Sequence, residues 1–123
     1  MGGRVLIVED NERSLRLARD VLEYHGYEVL GAATGEGAIA MAGAPTPPDL
    51  VLMDLQLPGL DGFETLRALR ADPATAGIPV VALTAFAMAS DARRCEAAGF
   101  DGYLTKPIDV ASFPARVASF LPA

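Results

Sequence analysis

The chain has 123 residues, 51% of them hydrophobic and 21% charged, and a net charge of -6. That length suits one compact domain, and that apolar content excludes a disordered chain, while the acidic balance disfavours non-specific attachment to DNA or to an acidic membrane. The single cysteine, Cys95, excludes an internal disulfide and a cysteine-based metal cluster.

Apolar runs alternate with helical periodicity. Arg4 to Val8 reads as a strand. Asn11 is placed to cap a helix reaching Tyr24, with Leu15, Ala18, Val21 and Leu22 at helical spacing and Gly26 as the stop. Glu28 to Ala32 is a short strand at a sheet edge, followed by a helix from Glu36 to Ala42 and a proline-rich loop from Ala44 to Pro48. Leu50 to Met53 carries no polar residue, as a strand covered on both faces should not. Leu57-Pro58-Gly59-Leu60 is a turn. Asp61 and Glu64 then have capping-box spacing at the head of a helix from Gly62 to Ala71. Phe63, Leu66 and Leu69 face inward there, Arg67 and Arg70 lie outside the apolar stripe, and Asp72-Pro73 ends the helix. Val80 to Leu83 is the fourth strand. A helix from Met88 to Ala98 stops at Gly99, and Tyr103 to Thr105 is the fifth strand. Phe113, Val117, Phe120 and Leu121 outline a last helix, and a start near Ser112 puts Pro114 in its first turn.

Five strand-then-helix units imply one α/β domain over residues 1–123, a doubly wound five-stranded parallel sheet with helices on both faces. No apolar run approaches the ~20 residues of a membrane helix, and Val5 to Val8 is too short for a secretory signal. A soluble cytoplasmic protein with no membrane insertion and no direct nucleic-acid contact is expected.

The polar residues at the strand ends carry the chemistry. Glu9 and Asp10 follow the first strand, Asp54 the third, Thr84 the fourth and Lys106 the fifth, with Pro107 after it. In an open parallel sheet ligands bind outside the carboxyl ends of the strands, so these residues converge on one rim. Three carboxylates that close resist common ionisation unless a cation sits among them, and a hard divalent cation takes oxygen ligands. A hydroxyl and an ammonium opposite such a cation can hold phosphoryl oxygens. The set reads as a Mg2+-assisted phosphoryl-acceptor site with Asp54 as nucleophile. Taken singly the residues have plainer readings. Asp10 could cap a helix, Thr84 could be structural, Lys106 could be a surface lysine and Tyr103 could be static packing. Cys95 reads as a buried filler, His25 as exposed near a helix end, and Arg93 and Arg94 as a solvated face.

The motifs Val-Glu-Asp-Asn (Val8 to Asn11), Met-Asp-Leu-Gln-Leu-Pro-Gly-Leu-Asp-Gly (Met53 to Gly62), Leu-Thr-Ala (Leu83 to Ala85) and Ala-Gly-Phe-Asp-Gly-Tyr-Leu-Thr-Lys-Pro-Ile (Ala98 to Ile108) stand in this order. Together they resemble the receiver domain of two-component response regulators, over the whole chain. The resemblance implies the flavodoxin-like strand order 2-1-3-4-5 and a phosphoryl group taken by Asp54 from a phosphohistidine. It implies Mg2+ held by Glu9, Asp10, Asp54 and the backbone carbonyl of Gln56, with Glu9 binding directly or through water. Thr84 would donate to the phosphoryl group, Ala85 would leave it room, and Lys106 would pair with Asp54 before loading and with the phosphoryl group after it. Thr84 and Tyr103 would form the switch, Pro107 would follow a cis bond, and Gln56 and Phe86 would flank the path of an attacking water. Implied partners are a histidine kinase or histidine phosphotransfer protein and a downstream effector protein. The implied form is a stand-alone receiver, monomeric or dimerising on phosphorylation, that catalyses only its own phosphorylation and dephosphorylation.

Three rival readings are weaker. A haloacid-dehalogenase-like phosphatase needs a second acid two residues after the nucleophile, where Gln56 stands. A nucleotide-binding module needs glycines where Glu9-Asp10-Asn11 stands. A docking module that works without phosphorylation leaves the acids, hydroxyl and lysine without a purpose.

Overall fold

A strand that is apolar throughout can be buried only if helices cover both of its faces, and the three such runs in this chain, Val5 to Val8, Leu50 to Met53 and Val80 to Leu83, lie inside the sheet. The structure, a computed structural model, describes residues 3–57, 59–85 and 89–121, with 89–91 described by their backbone alone. In chain order the elements are β1 (Arg4–Val8), α1 (Glu12–Tyr24), β2 (Glu28–Ala32), α2 (Gly35–Ala42), β3 (Leu50–Asp54), α3 (Gly62–Ala71), β4 (Val80–Thr84), α4 (Ala89–Ala98), β5 (Gly102–Thr105) and α5 (Phe113–Phe120). The five strands form one sheet in the order β2-β1-β3-β4-β5, and every pairing is parallel. Every residue of β3 and β4 is buried. Among the described residues no helix is long and apolar enough to cross a membrane.

Successive strand side chains point to opposite faces, which divides the core in two. Val5, Ile7, Leu52, Val81, Leu83 and Leu104 pack with Ala18, Val21 and Leu22 of α1 and Phe113 and Val117 of α5. Leu6, Val8, Val51, Met53, Val80 and Ala82 pack with residues of α2, α3 and α4 on the other face. Each fully buried Leu, Ile or Val contributes about 1.5–3 kcal/mol relative to exposure.

The helix starts follow local chemistry. Asn11 accepts a hydrogen bond from the Ser14 N–H at 3.0 Å, and Asp61 and Glu64 close the expected capping box with bonds of 2.9 and 3.2 Å. Thr34 caps α2 through the Gly37 N–H at 3.0 Å, so α2 starts one residue earlier than its apolar pattern suggests. Gly26 and Gly99, past the ends of α1 and α4, have φ of 91° and 104°, where a side chain would be strained. Pro114 sits in the first turn of α5, and the Lys106–Pro107 bond is cis. Pro58 and Met88, read in the sequence as part of a turn and as a helix start, lie outside the described residues.

Arg70, seen in the sequence only as a residue off the apolar stripe, ties the amino-terminal edge of the sheet together. It donates to the carbonyls of Ala76 (3.1 Å), Ile78 (2.6 Å) and Gly99 (3.2 Å) and to Asp101 (2.9 Å). Asp101 also accepts the Val80 N–H at 2.8 Å.

A methyl group at Gly62 would stand 2.7 Å from the Asp54 carbonyl oxygen and 2.9 Å from the Leu55 Cα, both backbone atoms that cannot turn aside. Gly62→Ala should destabilise the fold by about 1–3 kcal/mol in denaturant titrations. Gly77, with nothing within 4 Å of an added Cβ, is the control, and Gly77→Ala should fall within about 0.5 kcal/mol of wild type.

Candidate functional site

Backbone hydrogen bonds carry the parallel ladders one residue past the strands, and this fixes the rim. The Glu9 N–H reaches the Ala32 carbonyl at 2.9 Å, the Leu55 N–H the Leu83 carbonyl at 3.1 Å, and the Lys106 N–H the Thr84 carbonyl at 2.7 Å. Four strand ends are thereby brought level, and Glu9, Asp54, Thr84 and Lys106 stand on them. Glu9 is 2% exposed, Thr84 3% and Asp54 5%, whereas Asp10 is exposed.

Lys106 lies between the two buried acids. Its ammonium donates to Asp54 Oδ2 at 2.9 Å and forms an ion pair with Glu9. The other Asp54 oxygen, Oδ1, accepts the Gln56 N–H at 2.9 Å, and Glu9 Oε2 accepts the Asn11 N–H at 3.1 Å. Glu9 Oε1 is buried with no aligned hydrogen-bond donor; it faces the lysine only as a charge. Burial pushes the Glu9 carboxyl above its ordinary value of 4.5 and the Asp54 charge adds to this, while the Lys106 ion pair and the Asn11 bond pull it back in part. Burial alone would lower Lys106, but its contacts with Glu9 and Asp54 carry it above the ordinary 10.5.

Among the described residues, the one ammonium here pairs with two of three clustered carboxylates, so they are short of positive charge. Glu9, Asp10 and Asp54 each offer an oxygen, and the three lie within 4.8 Å of one another. An all-oxygen donor set with one buried oxygen lacking a hydrogen bond suits a hard divalent cation.

Beside Asp54 opens a recess of about 220 Å³ lined by Gln56, Asp61, Phe63, Thr84, Ala85 and Arg94. The small side chain of Ala85 leaves it open. Arg94, read in the sequence as a solvated face, lies over the Phe63 ring at 4.9 Å from its centroid, a contact worth about 0.5–1 kcal/mol at an exposed position. Phe63 in turn meets Phe100 edge to face at 5.6 Å. Tyr103 is half-buried on the face of the sheet covered by α2, α3 and α4, and lines a second recess with Cys95 and Phe100. Cys95 is buried and His25 exposed, as the sequence suggested. Phe86 lies outside the described residues.

The profile of the response regulator receiver domain matches residues 5–118. The polar-differentiation response regulators DivK of Brucella ovis and Brucella suis are each 43% identical over 117 residues, which is 95% of this chain and 94% of theirs. Among solved structures, the receiver domain of the sensor histidine kinase PA1611 from Pseudomonas aeruginosa, with a magnesium ion coordinated in its active site cleft, is 34% identical with a TM-score of 0.86, covering 98% of each chain. The chemotaxis response regulator CheY4 of Vibrio cholerae is 27% identical with a TM-score of 0.90, covering 98% of this chain and 100% of its own.

Glu9 gives a pH-dependent prediction. In the unfolded chain it releases its proton near 4.5, and in the folded chain only at higher pH, so its contribution to stability falls as pH rises through that window. Glu9→Gln, with no proton to lose, should be more stable than wild type at pH 7 in the presence of a chelator. Its advantage should vanish below pH 4.5, where the native glutamate is neutral in both states. Denaturant titrations across this range provide the check, and equal stability throughout would mean that the lysine fully offsets the burial.

Proposed function

The chain belongs to the response regulator receiver domain family, and from that premise we propose that it accepts a phosphoryl group on Asp54, aided by Mg2+, and is read by partner proteins according to its phosphorylation state. The observation that carries this reading is the state of Asp54. It is a nearly buried carboxylate at the end of the central strand, its two oxygens fixed by Lys106 and by the Gln56 N–H. A nucleophile held in one orientation needs little reorganisation before attack.

In the proposed reaction an Asp54 oxygen attacks the phosphorus of a phosphohistidine. The P–N bond breaks, its electron pair returns to the imidazole nitrogen, which takes up a proton, and an acyl phosphate forms. Hydrolysis later restores the carboxylate and releases inorganic phosphate. A bound divalent cation would screen the charge between donor and acceptor. Glu9, Asp10, Asp54 and the Gln56 carbonyl would hold that cation. Lys106, already on Asp54 Oδ2, would transfer its hydrogen bond to a phosphoryl oxygen and neutralise the added charge. The Thr84 hydroxyl would donate to another oxygen from the neighbouring strand. At about 4 Å and an effective dielectric of 20, one ammonium–phosphoryl contact gains about 4 kcal/mol before desolvation, enough to bias a two-state loop.

The signal would leave through Thr84 and Tyr103. Movement of Thr84 toward the phosphoryl group would free space beside β4, and the half-buried ring of Tyr103 on β5 could turn into it. The surface of α4, β5 and α5 would change, and an effector protein would bind one form in preference to the other. The donor in this reading is a histidine kinase or a histidine phosphotransfer protein.

Incubation with acetyl phosphate and Mg2+ should add one base-labile phosphoryl group, located on Asp54 by mass spectrometry. Asp54→Asn should take up none, and a chelator should suppress labelling of the wild type. Full labelling of Asp54→Asn would contradict the assignment.

Thr84→Ala should still be labelled but should transmit poorly, so that the change in near-ultraviolet circular dichroism from tyrosine on loading is largely lost. A loaded Thr84→Ala chain with the full wild-type change would contradict the coupling.

A further inference from the structure

We propose that Arg94 is a donor-binding residue, whose guanidinium receives the oxygens of an anionic phosphodonor in the recess beside Asp54. The proposal rests on the reading of Asp54 as acceptor and assigns one more residue to the same site.

The recess is lined by two acids, Asp54 and Asp61, and by one cation, Arg94, among the described residues. The chain as a whole carries a net charge of -6. An anionic donor that approaches Asp54 through this recess therefore meets repulsion unless a local positive charge opposes it. Lys106 does not line the recess, and its ammonium is engaged by Glu9 and Asp54. The Asp61 carboxylate is committed to its own helix, where Oδ1 accepts the Glu64 N–H at 2.9 Å. Arg94 has no carboxylate partner among the described residues.

Its placement also fits the role. The guanidinium lies over the Phe63 ring at 4.9 Å. A guanidinium presents its N–H groups as a planar fork, and that fork matches two oxygens of a phosphoryl group. Phe63 is itself fixed by its edge-to-face contact with Phe100. The head group is thus positioned on α4 by an aromatic platform on α3, at the border of the space the donor would enter. Arg94 is exposed, so it can leave the ring when a stronger partner arrives.

The test is the rate at which acetyl phosphate labels Asp54 at saturating Mg2+, followed by intact mass at low and high ionic strength. Arg94→Gln should slow labelling about three- to tenfold at low salt, from loss of one nearby charge, and should flatten the salt dependence. Arg94→Lys keeps the charge without the fork, so its rate should be intermediate and its salt dependence close to wild type. Equal rates and equal salt dependence in wild type and Arg94→Gln would overturn the proposal, while Asp54→Asn, still unlabelled, kept the acceptor reading intact. Equal slowing at low and high salt, without rescue by lysine, would also overturn it, because it marks Arg94 as a wall of the recess only. Should Arg94→Gln fail to fold, the Arg94→Lys comparison stands alone, and a wild-type rate in that variant overturns the fork. Labelling of Asp54→Asn at the wild-type rate would overturn the acceptor reading and this proposal together.

Discussion

Two buried carboxylates held against one ammonium set the terms for everything else at this rim. Glu9 and Asp54 are almost inaccessible to water, and isolated charges in that position are strongly disfavoured. Lys106 makes the pair tolerable, reaching both acids from just past the end of β5, across β4. The compensation is incomplete, since Glu9 is still pushed toward its neutral form. A site left short of positive charge in this way is poised to take up a cation.

The sheet supplies the stiffness that this balance needs. β1, β3 and β4 are buried almost throughout, and the ladders continue past their ends to Glu9, Leu55 and Lys106. Gly62 lets α3 begin directly over the Asp54 carbonyl. At the opposite edge Arg70 and Asp101 fix the starts of β4 and β5.

The parts of this arrangement that depend on chain-local rules could be read from the sequence. Parallel strands end at one rim, so acids, a threonine and a lysine at four strand ends had to meet, and they do. Asp61 and Glu64 announced their capping box by spacing alone, and the unbroken run from Leu50 announced a central strand. The strand order came from family resemblance, since apolar periodicity does not rank neighbours. Contacts made through space by long side chains were not legible. Arg70 and Arg94 both read as polar residues on a helix surface. One proved to be a brace for three loop carbonyls, and the other a cation over the ring of Phe63, a residue far earlier in the chain. Nor could the sequence separate Glu9 from Asp10, adjacent acids of which one is buried and one exposed. That difference follows from the Ala32 carbonyl that fixes the Glu9 backbone.

Lys106 holds the two buried acids in place and offsets part of the cost of burying Glu9. Carboxyl-carbon NMR titration of Glu9 in metal-free protein measures this directly, in the wild type and in Lys106→Met. Glu9 should titrate above its ordinary value in the wild type and move higher still when the ammonium is removed. A Glu9 that titrates at its ordinary value and does not respond to Lys106→Met would contradict it.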